Sequence, residues 1–343
     1  MPHARYARAV LAQAKKYGAE HGLAGREIGA IFFGGGTPSL MNTEFFASVL
    51  QGLREEFVFA KNIEITSEMN PATAGKEWMS AVLQAGVNRL SIGIQSFQPE
   101  LLKFLDRDHT KADVHTVLRD AKEVGFENYS CDLMFAIPGQ THTQLVEDLD
   151  CALSYAPKHI SAYQLTFEPG TPLAKKYKVD PRDENLTLQF FHEVKTRLEN
   201  AGLKQYEISN YALPGFESQH NLNYWNYGEY LGLGSGAVSF IKQKRWTTTR
   251  NVEHFLSGDF SEKDPDLISE QTARSEFCFL GLRKNVGIAK QEFQQRFGMS
   301  IESVFASVLK KNQQDGLLLQ NEQRIFLTEK GRLLSNHVFG QFF

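Results

Sequence analysis

The sequence predicts an α/β fold organised around a parallel sheet, with a small α+β domain behind it. Three observations carry that expectation. Short apolar runs alternate with helix-length amphipathic segments over the first 210 residues. The apolar runs end on polar side chains, one after another. Beyond residue 260 the order changes to three helical patterns, a short β-like pair and a last helix. Strands alternating with helices of this length make βαβ units, which close into a barrel or spread into an open doubly wound sheet.

The chain opens with MPHARYARAVLAQAKKYGAEHGL, which carries Arg5, Arg8, Lys15 and Lys16 and no acid before Glu20. An organellar transit peptide shares that bias. Tyr6, Val10, Leu11 and Ala14 recur at helical spacing and serine is not enriched, so the segment reads as a first amphipathic helix. Strands are expected at Ile28–Phe33, Ile63–Glu68, Arg89–Gln95, Tyr129–Ile137, His159–Phe167 and Gln205–Ser209. Helices are expected between them at about 43–57, 73–86, 112–126, 142–156 and 184–201. Gly86, Gly125 and Gly202 sit where left-handed C-caps favour glycine.

The polar residues fall at the strand ends: Thr37 after Gly34–Gly36, Glu68 and Asn70, Gln95, Asp132, Gln164 and Glu168, Glu207 and Asn210. In barrels and in open sheets alike, ligands sit outside the C-terminal ends of parallel strands. Any one polar strand end is ordinary loop chemistry, but six in register point to a site.

From 211 to 260 the alternation breaks into a Tyr-, Gly- and Asn-rich stretch that includes HNLNYW, and the acidic SEKDPDL at 261–267 reads as a linker. Helical patterns follow near 270–283, 288–297 and 300–313, then Leu317–Leu319 and Arg324–Leu327 as a β-like pair and a helix from Thr328. Helices followed by a small hairpin resemble a winged helix. Residues 262–343 hold 11 Lys/Arg against 10 Asp/Glu, without the basic face that DNA binding requires. The expected division is 1–210, 211–260 and 261–343.

Composition narrows the function classes. With 37 Lys plus Arg against 40 Asp plus Glu the net charge is −3, so the chain is not built to coat nucleic acid. No run approaches the ~18 apolar residues of a membrane span; membrane contact, if any, is peripheral. Cys131, Cys151 and Cys278 stand 20 and 127 residues apart, which matches no zinc or iron–sulfur spacing and suits reduced thiols in the cytoplasm.

FFGGGTPSL (32–40) is the strongest local signal. Three glycines after a strand let backbone N–H and C=O groups approach a ligand closely. The pattern is neither of the nucleotide-phosphate motifs GxGxxG and GxxxxGK[ST]. GGGTPSL is followed in order by SEMNP (67–71), RLSIGIQSF (89–97), LDRDH (105–109), CDLMFAIPGQT (131–141), ISAYQLTFEPGTPL (160–173), YEISNYA (206–212) and HNLNYW (220–225). Together these motifs, across nearly the whole chain, resemble the oxygen-independent coproporphyrinogen III oxidase-like family of radical S-adenosylmethionine (SAM) proteins. HNLNYW resembles the haem-chaperone branch, HemW, more than the true oxidase.

The resemblance implies a partial (β/α) barrel with a small C-terminal winged-helix-like domain, and SAM held at the strand C-terminal ends. Gly35, Gly36 and Thr37 would meet the methionine part of SAM, Glu68 and Gln95 the ribose and neighbouring groups, Arg107 the carboxylate, and Asp132 the ribose and adenine side. It also implies haem as a ligand, with a haem-accepting protein as partner. His220 of HNLNYW is the candidate haem ligand.

Three departures accompany the matches. The family holds a [4Fe–4S] cluster through CxxxCxxC, and these 343 residues contain no such motif. The expectation is a shortened or late-started form whose cluster segment and first strand lie upstream, leaving Ile28–Phe33 at a sheet edge. Val238 stands in Gly236-Ala237-Val238-Ser239 where relatives carry histidine, and Asp106 stands where they carry the glycine before the arginine, so its charge is expected to weaken the carboxylate contact. The leading expectation is a haem chaperone-like protein, with no SAM cleavage expected of these 343 residues as written. The alternatives are a coproporphyrinogen III oxidase and a cluster-free haem- or partner-binding protein.

Overall fold

The computed structural model describes residues 2–168, 170–177 and 183–343. Pro169 of the FEPGTPL segment lies outside the described residues. The order begins α1 (His3–His21), β1 (Glu27–Phe33), α2 (Thr43–Glu56), β2 (Val58–Met69), α3 (Lys76–Ala85), β3 (Arg89–Gln95), α4 (Pro99–Phe104) and α5 (Lys111–Val124). It continues β4 (Tyr129–Phe135), α6 (His142–Ser154), β5 (His159–Gln164), α7 (Pro172–Lys176), α8 (Glu184–Asn200), β6 (Lys204–Gln205) and β7 (Asn210–Ala212). The main sheet has the order β1-β2-β3-β4-β5-β7-β6, with β1 at one edge. β2, β3, β4 and β5 are parallel neighbours.

The helices form for the expected reason. Val114, Val117, Leu118 and Ala121 of α5 are buried at spacings of three and four. Thr110 and Asp113 close a capping box at its start, and Gly125 ends it in the left-handed region. Strand β4 is buried along most of its length, as strands covered on both faces are.

The parallel expectation fails at the far edge. Gln205–Ser209 is not one strand. Glu207 accepts the Ser209 N–H at 2.9 Å and the Asn210 amide, Tyr206 N–H donates to Asn210 O at 3.1 Å, and the chain reverses. β7 then pairs antiparallel with both β6 and β5. A connection this short permits only a hairpin, since a parallel return needs a crossover.

The chain divides into two compact units, one of Met1–Ile31, Asn42–Glu64 and Ser218–Phe343, the other of Phe32–Met41 and Ile65–Glu217. The second unit carries the parallel strands. In the first unit the opening segment is the helix α1, with Ala7, Val10, Ala14 and Tyr17 buried. Gln13 donates to Thr248 Oγ1 at 2.9 Å and accepts the Gly234 N–H at 2.8 Å, while Tyr17 Oη donates to Phe260 O at 3.0 Å. His21 stacks on Trp246 at 4.6 Å.

The first unit also holds α9 (Gln219–Trp225), β8 (Val238–Ile241), β9 (Lys244–Thr248), α10 (Val252–Leu256) and β10 (Glu262–Leu267). The linker expected at 261–267 is β10, the edge of a β10-β9-β8 sheet. Lys263, Asp264 and Asp266 face water, Glu262 pairs with Lys244, and the register slips between Lys263 and Asp266, around Pro265. Proline and exposed charge are how an edge strand resists further pairing, and here they hid the strand.

Next come α11 (Glu270–Arg283), β11 (Ile288–Ala289), α12 (Lys290–Phe297), α13 (Ile301–Gln314), β12 (Leu318–Gln320), β13 (Arg324–Leu327), α14 (Glu329–Leu333) and α15 (Ser335–Gly340). The β11-β13-β12 sheet against these helices gives the expected winged-helix-like arrangement. No helix of the described residues is long and apolar enough to cross a membrane.

Candidate cofactor site at the strand ends

The glycine loop after β1 is open where a ligand would need it open. A Cβ on Gly35 or Gly36 would meet nothing within 4 Å, and Gly35 has φ +80°. Thr37 leads into a 3-10 turn at Pro38–Leu40. Ser39 Oγ accepts the Asn70 N–H at 3.1 Å and pairs with Thr73 Oγ1 at 2.5 Å. Asn70 Nδ2 donates to Asp108 Oδ1 at 3.1 Å. The loops after β1 and β2 and the one before α5 are thereby tied together.

Glu68, at the end of β2, accepts the Gly35 N–H; burial first, and then the nearby Asp132 carboxylate, push its carboxyl up to about 7. Gln95 ends β3 with φ +66°, next to a register shift between Ile92 and Gln95. A bulge re-aims the side chain beside it, and a non-glycine residue held in the left-handed region stores strain of the kind found at functional sites. Gly93 creates the meeting point: a Cβ there would stand 3.1 Å from Gln95 Nε2, 3.7 Å from Met69 O and 3.8 Å from Arg107 Nη2.

Asp132 on β4 accepts Ser91 Oγ at 2.6 Å and Ser130 Oγ at 2.7 Å. Burial pushes its carboxyl up, against the hydroxyls of Ser130, Ser91 and Ser161 and the charge of Arg89. A carboxylate offers about four acceptor positions, so the serines leave capacity for a ligand. The cross-strand register sets Glu68 opposite Ser91, Ser91 opposite Ser130 and Asp132 opposite Ser161. The structure therefore links Gly35 with Glu68 and Asp132, and Gln95 with Arg107, in the second unit.

Asp106 has φ +53° in the turn that closes α4. That conformation explains why glycine suits the position, and aspartate tolerates it better than most residues. Asp106→Gly is expected to raise stability by about 1 kcal/mol, whereas Asp106→Val lowers it by about 1–2 kcal/mol. Thermal unfolding of both variants checks the opposite signs.

One supporting residue, Asp148, carries no signal in the sequence, whereas His109 plays the structural part that a lone histidine most often has. Asp148 of α6 is buried and accepts Ser96 Oγ at 2.5 Å and the Phe97 N–H at 2.9 Å, fixing the turn after Gln95. Burial pushes its carboxyl up to about 6. His109 of LDRDH is structural: buried and held neutral, it donates Nε2–H to Ile94 O at 2.9 Å. No sequence signal separates Asp148 from other helical acids; its neighbour Ser96 was visible only as part of a motif.

The cysteines lie apart, Cys131 in β4, Cys151 in α6 and Cys278 in α11, and burial pushes all three thiols up. Cluster ligation needs thiolates brought together. Among the described residues there is no group of three His, Cys, Asp or Glu placed to hold a metal ion. These cysteines do not fit a [4Fe–4S] cluster.

In the first unit, Glu64 accepts the backbone N–H groups of Gln219 and His220, each at 3.2 Å, and anchors the start of HNLNYW. The His220 ring meets Tyr224 edge-on at 4.8 Å, and burial lowers its pKa to about 4. Tyr224 and Trp225 line a cavity of about 340 Å³ with Tyr230, Phe240 and Phe279, walled by the Arg245–Glu276 ion pair. Val238, the residue replacing an expected histidine, is 40% exposed at the start of β8.

Residues 4–152 match the radical SAM superfamily and residues 268–334 the HemN C-terminal domain. The haem chaperone HemW of Bacillus subtilis is 36% identical over 324 residues, 92% of this chain and 86% of that protein. HemW of Escherichia coli is 36% identical over 324 residues, 93% and 85% of the two chains. HemW of Haemophilus influenzae is 35% identical over 327 residues, 92% and 83% of the two. The coproporphyrinogen III oxidase HemN of Escherichia coli, described as a radical SAM enzyme, superposes with a TM-score of 0.83 over 99% of this chain and 83% of that one, at 22% identity. That likeness is one of fold.

Proposed function

Since the chain belongs to the haem chaperone HemW family within the radical SAM superfamily, we propose that it binds haem for delivery to a haem-accepting protein in the cytoplasm and seats SAM at its strand ends. The observation that carries the SAM reading is the convergence of the Gly35 N–H on Glu68, with Asp132 beside it, and of Gln95 and Arg107 around Gly93. SAM supplies a sulfonium, an amino-acid end and a nucleoside, and so asks for both signs of charge and for amide dipoles in one place. Gly35, Gly36 and Thr37 would take the methionine end, and Arg107 would grip the carboxylate with its guanidinium fork. Glu68, Gln95 and Asp132 would accept from and donate to the ribose and its neighbours. The three cysteines present, separate and with raised thiol pKa values, are unsuited to hold a cluster.

Haem is the cargo, and His220 fits as its ligand because a neutral imidazole is the form that binds iron. Tyr224 links that ring to the aromatic cavity, whose walls suit a flat apolar macrocycle. Three free cysteines favour the cytoplasm.

The test uses the full chain titrated with haem. The wild type is expected to give a saturable Soret change, and His220→Ala to weaken it by at least about tenfold. An unchanged Soret titration in His220→Ala removes His220 from the reading. SAM binding is measured separately by equilibrium dialysis.

A further inference from the structure

A line of hydrogen bonds runs through the sheet of the second unit behind the strand-end groups. Ser130 Oγ donates to Asp132 Oδ1 at 2.7 Å and lies 2.8 Å from His159 Nδ1. His159 Nε2 lies 2.9 Å from the Tyr206 hydroxyl. A hydroxyl carries one proton. Ser130 gives its proton to Asp132, so it accepts Nδ1–H from His159, and Nε2 then accepts from Tyr206. Each donor in the line therefore points towards Asp132.

Burial alone does not explain these residues. His159 is 1% exposed on β5, and Ser130 is 1% exposed on β4. A sheet interior could take apolar side chains without the penalty of matching every polar atom. Here the polar atoms are matched in sequence, and the line ends on a carboxylate facing the candidate site.

We propose that His159 and Tyr206 are positioning residues: through Ser130 they hold the Asp132 carboxylate as an oriented acceptor for the hydroxyl groups of a nucleoside ligand at the strand ends. The inference rests on the SAM reading above and extends it to residues that do not touch the ligand. The other charged or titratable groups facing Asp132 and its neighbours are Glu68, Arg89, Cys131, Tyr163 and Glu207. The serine donors converging on Asp132 favour its ionised form against the burial that raises both carboxyls, and weakening the line favours protonation of Asp132 and so relieves the charge that Glu68 faces.

Tyr206→Phe and Ser130→Ala each break the line by removing one oxygen. The expected result for the full chain is a five- to tenfold loss of SAM affinity in each, at about one hydrogen bond's worth, and a lower titration midpoint for Glu68 followed by carboxyl-carbon NMR. His159→Asn keeps an amide N–H where Nδ1–H was but loses the Nε2 acceptor for Tyr206, so its SAM affinity should fall no further than that of Tyr206→Phe, while that of His159→Leu should fall further. A loss of packing would affect Asn and Leu alike and leave the Glu68 midpoint in place. Wild-type SAM affinity and an unmoved Glu68 midpoint in both Tyr206→Phe and Ser130→Ala overturn the inference. If the wild type itself does not bind SAM, the preceding reading fails, and the NMR midpoint still decides whether the line acts on the carboxylate pair.

Discussion

Glu68→Gln is expected to make the protein more stable above pH 7 and to weaken SAM binding at the same time. The folded-state pKa of Glu68 is raised from 4.5 to about 7. Below pH 4.5 the side chain is neutral in both states and folding meets no penalty. As pH rises towards 7 the unfolded chain ionises freely while the folded one resists, so stability declines through that window. The gap sets a limit of about 3 kcal/mol. Water reaches the half-buried carboxyl, which reduces the effect to about 1–2 kcal/mol. Glutamine does not titrate, so wild type and variant should have equal stability near pH 4 and diverge by that amount at pH 8. Chemical denaturation at the two pH values measures it, and parallel curves would remove the argument. SAM affinity should fall about tenfold, since the amide oxygen still accepts the Gly35 N–H but the amide nitrogen cannot accept a ribose hydroxyl as the second carboxyl oxygen can.

Trp246→Ala should cost about 3–5 kcal/mol, the range for deleting a large buried aromatic. Trp246 is 1% exposed, meets Tyr17 edge-on at 5.8 Å and stacks on His21 at 4.6 Å. Both partners belong to α1, so the cavity left behind would loosen the helix from β9. Trp246→Phe refills most of the space and should recover more than half of the loss. Urea unfolding followed by far-UV circular dichroism checks both variants, and an Ala variant within 1 kcal/mol of the wild type would refute the packing account.

The local pattern made much of this legible. β3 occupies Arg89–Gln95 as expected, and α2, α5, α6 and α8 start within one residue of their expected positions and stop within two. The polar strand ends named the groups around Gly93 and Gly35 because a parallel strand must deliver its last side chains to one rim. The misses have physical causes. β10 buries no apolar side chain, its one large apolar residue, Leu267, being exposed, so no apolar alternation betrayed it. The β6–β7 reversal depends on Glu207 bonding residues two and three positions on, which no periodicity reports. Asp148, His159 and Tyr206 matter through partners 29 to 52 residues away in the chain, and such pairings appear only once the strands are set side by side.

The anchoring of α1 has a consequence during synthesis. Gln13 leaves the ribosome 235 residues ahead of its partner Thr248. At about 5–20 residues per second the helix waits on the order of 10–50 seconds before its binding surface exists. Throughout that delay Val10, Ala14 and Tyr17 have no packing surface and stay exposed to whatever the nascent polypeptide meets.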